Sequence, residues 1–263
     1  MAYPLQISEL LSKFSTLSPE ARAKIKKEML RSITEHERGR FIDTLYPDTG
    51  PLRRELYVKH LEFWRAGAIH DERAFIAANR SGKTTCVSYE MSLHLTGDYT
   101  SWWEGRKFDR PIVAWAAGTD AKAVREKLQP SLIGAAGARG TGLIPRDALL
   151  RSPARGGIPD AVDFAEVRHV SGGTSRLVFK AYEQTRESFQ SAEVDAIQLD
   201  EEPPIAIYTE ALTRTLSTVP GRRNGTVMCS FTPLEGVSET VLQFMPGGAI
   251  PGTEELRKQA WGW

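Results

Sequence analysis

Phe75-Ile-Ala-Ala-Asn-Arg-Ser-Gly-Lys-Thr-Thr-Cys86 decides the fold. A short apolar run gives way to small and polar residues, and Gly82-Lys83-Thr84 then opens a helix. Strand, loop and helix in that order make a phosphate-binding loop: its N–H groups face an anion, and the positive end of the helix dipole reinforces them. On this reading Ala77, Ala78, Asn79, Arg80, Ser81, Gly82, Lys83, Thr84 and Thr85 form a nucleotide cradle. Lys83 reaches the β- and γ-phosphates, and the Thr84 hydroxyl sits on Mg²⁺. The motif asks for glycine at its first position, where this chain has Ala77, a residue with less backbone freedom. The plainer alternative is a helix that begins at Ser81 with Gly82 as a loose first turn.

A second motif stands far downstream. Ala196-Ile-Gln-Leu-Asp200-Glu201 is a mostly apolar strand ending in two carboxylates, followed by Glu202-Pro203-Pro204. Ligands of open α/β sheets bind outside the carboxyl ends of the strands, where the loop also lies. Asp200 is suited to holding Mg²⁺ and Glu201 to polarising the water that attacks a γ-phosphate. Positive charge for the transition state is offered by Arg80 within the loop and by Arg186, which we expect to act in trans from a neighbouring subunit. A surface pairing of Arg186 with Glu183 or Glu187 is the bland alternative. Ser230 and Thr232, in Ser230-Phe-Thr-Pro233 at the next strand end, are expected to sense the γ-phosphate and couple its loss to movement.

The rest of the chain fits an α/β fold. Residues 1–50 read as helical, with Ser18-Pro19-Glu20 as a helix start. Residues 51–245 form one domain, and 246–263, rich in Gly and Pro, read as the start of a linker. Leu52 to Gly67 places Leu56, His60, Phe63 and Trp64 at helical spacing, either as core or as an aromatic wall for an adenine. Strands are expected at Ala74–Ala78, Ile112–Ala117, Arg176–Tyr182, Val194–Leu199 and Gly225–Phe231. Helices are expected after Lys83 up to Gly97, over Ala121–Leu128 closed by Pro130, and from Ile205 to Leu216. The β-α-β-α progression argues for a parallel sheet with right-handed crossovers. Residues 134–160 read as a long loop in which Arg139, Arg146, Arg151 and Arg155 are candidates for contact with a DNA backbone.

Composition narrows the field. Lys plus Arg total 34 against 33 Asp plus Glu, a formal charge of +1, so nucleic-acid contact must come from a local patch. The two cysteines, Cys86 and Cys229, and the five scattered histidines lack metal-ligand spacing. No apolar run approaches a membrane span, and a soluble, cytoplasmic protein is expected.

Together these residues resemble the ATPase domain of the phage large terminase subunit, the DNA-packaging motor. The likeness runs from about Tyr46 to Met245. It rests on the Ala77–Thr84 loop, Leu95-Thr-Gly-Asp-Tyr99 through Trp102-Trp103-Glu-Gly-Arg-Lys-Phe108, Arg186-Glu-Ser-Phe-Gln190, Asp195 to Pro204 and Ser230-Phe-Thr-Pro-Leu-Glu-Gly236. The resemblance implies a P-loop NTPase of the ASCE (RecA-like) type, a three-layer sandwich with a mainly parallel central sheet. It implies a Walker A loop at Ala77–Thr84, a Walker B strand ending at Asp200, Glu201 as catalytic acid, and Tyr57, His60 and Phe63 near the adenine. It also implies double-stranded DNA, the portal protein of a procapsid, a small terminase subunit and a homo-oligomeric ring as partners, with a monomer in isolation. Relatives continue into a nuclease domain; this chain stops at Trp263, so ATP hydrolysis without DNA cutting is expected.

Three alternatives stay open. A helicase or remodelling ATPase would use the same core but needs a second such domain. A small-molecule kinase would place its acid beside an acceptor hydroxyl. A nucleotide-binding assembly module would hydrolyse little.

Overall fold

The computed structural model describes residues 17–27, 40–157, 159–184, 193–234 and 236–245. Arg186, the expected linker 246–263 and most of the expected N-terminal helical segment lie outside them. Where that segment is described, residues 19–27 are helical and Ala21 N–H donates to Ser18 Oγ at 3.2 Å, the predicted cap.

Seven strands form one sheet: β1 (Glu72–Ile76), β2 (Val113–Gly118), β3 (Leu149–Arg151), β4 (Phe164–Arg168), β5 (Thr174–Ala181), β6 (Ala196–Asp200) and β7 (Thr226–Phe231). Their order is β1-β7-β6-β2-β5-β4-β3. The first five run parallel; β4 and β3 extend the sheet antiparallel. β7 therefore separates the strand leading into the loop from the strand carrying the two carboxylates. Running parallel, these five strands present their carboxyl ends on one side.

Helices cover both faces. α1 (Val58–Ala66) and α2 (Lys83–Thr96) lie on one side, with α3 made of Ala121–Ala123, Val124–Leu128 and Gln129–Ile133 in succession. Opposite, α4 (Ile205–Thr215) and α5 (Glu239–Phe244) pack on a core containing Trp115, Ile197, Leu199, Val227 and Phe231. None of the described helices is long and apolar enough to cross a membrane.

α2 is enclosed nearly all round. Val87, Met91 and Leu95 are fully buried, but so are Ser88, Glu90, Ser92 and His94. Two aromatic elements make the second wall. Trp64 of α1 donates its indole N–H to Cys86 O at 3.0 Å, and Trp102 stacks on Tyr89. Such ring pairs add about 0.5–1.5 kcal/mol beyond the area they bury. The aromatic density of residues 99–108 is thus the lid of the helix that carries Lys83. Gly97 ends α2 in the left-handed region at φ 68°, where a Cβ would run into the His169 ring.

Several expectations are corrected. Pro130 does not close the third helix. Gln129 N–H bonds Val124 O in a widened π turn, and that turn absorbs the proline's missing N–H and its clash with the preceding turn, so the helix runs to Ile133. Leu56 lies in a separate 3₁₀ turn and is exposed rather than on the apolar face of α1. The expected long loop 134–160 contains β3, and β4 follows it; neither strand was expected. β1 begins at Glu72 and not Ala74, because Arg73 points into the interior.

Candidate nucleotide site

The loop after β1 is short and fixed by its ends. Ala77 N–H donates to Phe231 O at 3.3 Å, tying it to β7. Arg80 and Gly82 both take positive φ (64° and 81°), and the turn they make leads directly into α2. Ala77 is not in the left-handed region, so the absent first glycine costs nothing in backbone conformation here. The helix starts at Lys83, with Gly82 as its N-cap, which removes the alternative of a helix beginning at Ser81.

Lys83 is buried, and its ammonium donates to Ala78 O (2.8 Å) and Thr232 Oγ1 (2.9 Å). The Thr232 hydroxyl in turn lies 2.8 Å from Ala77 O and 2.9 Å from Asn79 Oδ1. One position later, the Thr84 hydroxyl donates to Asp200 Oδ1 at 2.7 Å, and Ser230 Oγ donates to the same oxygen at 2.8 Å. Burial pushes the Asp200 carboxyl above its ordinary range, against the pull of those two hydroxyls. A hydroxyl and a carboxylate oxygen are the donor set that suits Mg²⁺, and Thr84 and Asp200 are the residues that would hold it. The expected coupling pair therefore divides: Ser230 serves the carboxylate and Thr232 serves the loop.

Glu201 stands beside Asp200 with a backbone φ of 62°, uncommon for a residue with a side chain. Its N–H donates to Ser230 O at 2.8 Å. The carboxylate is partly exposed, pairs with Lys127 Nζ at 3.3 Å, and lines a cleft of about 760 Å³ together with Lys127, Glu202 and Thr232. Thr232, which accepts from Lys83, also lines the cleft of Glu201; Lys83 itself does not line it, so Thr232 is the link between the two charged groups.

A second cleft, about 210 Å³, opens on the other side of the loop and is lined by Tyr46, Leu52, Tyr57, His60, Gly82 and Thr85. Tyr57 and His60, the residues expected near an adenine, both line this cleft. His60 also braces the loop: Nδ1 lies 2.8 Å from Tyr46 OH and Nε2 3.4 Å from Ser81 O. A neutral ring protonated on Nε2 satisfies both, and burial holds its pKa below the usual value. Phe63 does not reach this cleft. It stacks on Phe75 of β1 at 5.7 Å, because its place on α1 faces the sheet.

The four candidate arginines part company. Arg139 is spent inside its own loop, donating to Gly134 O (2.5 Å) and Asp160 O (3.0 Å). Arg151 is exposed, pairs with Glu166 and lies over the Phe164 ring; Arg146 is exposed and Arg155 partly so. Arg80 is exposed at the loop's rim. Lys127, Tyr46 and Tyr182, all of which touch the site or its supports, carried no local signal in the sequence.

The sheet order, with β7 between β1 and β6, and the loop at the end of β1 define a P-loop fold of the ASCE type. Residues 74–251 match the family described as terminase large subunit, T4likevirus-type, N-terminal, and the chain belongs to that family. It is 32% identical over 238 residues to the terminase large subunit of Salmonella phage P22, covering 83% of this chain and 46% of the relative. The chain thus spans under half the length of that curated relative. Among solved structures it is similar to the large terminase ATPase domain of Thermus phage P74-26 (TM-score 0.45, 17% identity, 71% of each chain). It is also similar to the large terminase of a thermophilic bacteriophage in complex with ADP (TM-score 0.44, 16% identity, 67% of this chain and 37% of that one).

Proposed function

We propose that this domain hydrolyses ATP with Mg²⁺ and that hydrolysis drives double-stranded DNA into a viral procapsid. The observation that carries the reading is the convergence of Lys83, Thr84, Asp200, Glu201 and Thr232 at the carboxyl ends of β1, β6 and β7. Lys83 leaves its loop carbonyl for the β- and γ-phosphates. Thr84 and Asp200 hold the metal, which supplies charge neutralisation on the phosphates. Glu201 accepts a proton from water as the water oxygen bonds the γ-phosphorus and the bond to the bridging oxygen breaks, releasing ADP and phosphate. The cleft lined by Tyr57, His60 and Thr85 takes the adenosine.

Arg80 acts from the same chain, and Arg186 reaches the γ-phosphate of a neighbour in a homo-oligomeric ring. The ring sits on the portal protein in the host cytoplasm and receives the genome from a small terminase subunit. The exposed Arg146 and Arg151, with Arg155, supply DNA-backbone contacts, whereas Arg139 is structural. The kinase alternative is disfavoured by the adjacent Asp200-Glu201 pair, which suits activation of a water rather than of an acceptor hydroxyl.

The test is ATP turnover against protein concentration for wild type, Glu201→Gln and Arg186→Ala. Wild-type specific activity should rise with concentration. Glu201→Gln should fall at least ~100-fold with ATP binding retained, and Arg186→Ala should lose the concentration-dependent part. A linear rate indifferent to Glu201 would favour a nucleotide-binding assembly module.

A further inference from the structure

Resting on the reading of Glu201 as the group that activates water, we infer that the Tyr182 hydroxyl is a positioning residue for it. Glu201 aims its carboxylate into the cleft only because its backbone turns at φ 62°. A left-handed glutamate is strained and persists only where its surroundings over-determine it. Its N–H is fixed by Ser230 O of β7. On the opposite side a partner is missing: β2 pairs with β6 only as far as Ala117↔Leu199, so the carbonyls of Asp200 and Glu201 run past its end.

Tyr182 fills that gap. It follows directly on β5, the strand beyond β2, and its backbone N–H donates to Gly118 O at 2.8 Å, the last residue of β2. From there the phenol reaches over the end of β2 and lies 3.0 Å from Asp200 O and 3.2 Å from Glu201 O. Its single proton serves the two carbonyls across the very peptide where the chain turns. Burial raises the phenol's pKa far above neutrality, so it remains a donor under all working conditions. Tyr182 does not line the cleft that Glu201 lines. Its action is on the kink: without the hydroxyl the two carbonyls lose their shared donor, the turn keeps the Ser230 O bond and the Lys127 ion pair, and the aim of the carboxylate loosens.

The experiment compares Tyr182→Phe, Tyr208→Phe and Glu201→Gln with wild type by steady-state ATP turnover, by affinity for a fluorescent non-hydrolysable ATP analogue with Mg²⁺, and by thermal melting. Tyr208 is the matched control, a buried tyrosine whose hydroxyl bonds Glu72 at 2.5 Å on the far layer. The expected result is that Tyr182→Phe lowers kcat about tenfold with analogue affinity within about twofold. Tyr208→Phe should lose comparable thermal stability and keep kcat within about twofold of wild type. The proposal is overturned if Tyr182→Phe turns over at the wild-type rate while Glu201→Gln is inactive. It is equally overturned if kcat falls only in step with affinity, or if both tyrosine variants fall alike. Wild-type turnover by Glu201→Gln would overturn the reading of the site itself and the proposal with it.

Discussion

Two buried carboxylates, Glu90 on α2 and Asp200 at the end of β6, are treated in opposite ways. Glu90 is fully buried and grips Arg73 at both oxygens, 2.9 and 3.0 Å, with His94 Nε2 at 3.2 Å. The Arg73 guanidinium holds its carboxyl below the ordinary range despite complete burial. Asp200 is nearly as buried, yet it receives only hydroxyls, from Thr84 and Ser230, and burial drives its pKa up. A buried anion with its own cation is a completed structural joint, here clamping α2 to β1 behind the loop. One that carries only neutral donors leaves its charge uncompensated, and under the proposed function Mg²⁺ would supply the missing cation. The difference in partners, at similar burial, is what separates framework from chemistry.

The sharpest way to break this contrast is to unpair the joint. Glu90→Gln strands the Arg73 guanidinium in the interior and should cost about 3–5 kcal/mol, read by denaturant unfolding. Arg73→Met combined with Glu90→Leu should recover most of that loss. Equal losses from the single and double variants would remove the idea that Arg73 depends on Glu90.

Asp200→Asn should do the reverse: the nucleotide-free domain melts a few degrees higher, while Mg²⁺-dependent binding of an ATP analogue is lost. Their pH dependences also oppose. The folded pKa of Asp200 lies above its ordinary 3.8, so its contribution to stability falls as pH rises from there through the folded value. Glu90 lies below its ordinary 4.5, so its contribution is complete above that pH and disappears as pH drops through the folded value. An Asp200→Asn variant less stable than wild type at neutral pH would show that the carboxylate is a structural joint after all.

What could be read in advance followed from chemistry that is local in the chain. The Ala77–Thr84 loop and the Asp200-Glu201 strand end announce themselves because contiguous residues make each of them. Gly97 ended its helix as expected because only a glycine takes that turn. The Arg73–Glu90 clamp was hidden, since a charged residue in a strand breaks the apolar pattern and its partner sits 17 positions away. Tyr182 and Lys127 gain meaning only once β5, β2 and β6 are known to lie side by side. β4 was missed because Phe164-Ala-Glu-Val-Arg168 buries only Ala165 and Val167, too small a stripe to stand out. The widened turn before Pro130 rescued a helix that the proline rule would have ended.

The smallest expected effect concerns Thr232, which belongs to neither carboxylate but to the cation between them and the loop. Its hydroxyl accepts from Lys83 and lies against Ala77 O and Asn79 Oδ1; under the function proposed above, it would report to the loop whether the ammonium is engaged with phosphate. Valine keeps the shape and removes the reporter. A net hydrogen bond is worth about 1 kcal/mol, and Lys83 retains Ala78 O, so Thr232→Val should bind an ATP analogue within about threefold of wild type and hydrolyse at a similar rate. In the assembled motor, however, the loop would no longer register phosphate loss, and DNA movement per ATP should fall steeply. Packaging by that variant at the wild-type yield per ATP would place the coupling elsewhere, with Ser230 on Asp200 as the remaining hydroxyl at that strand end.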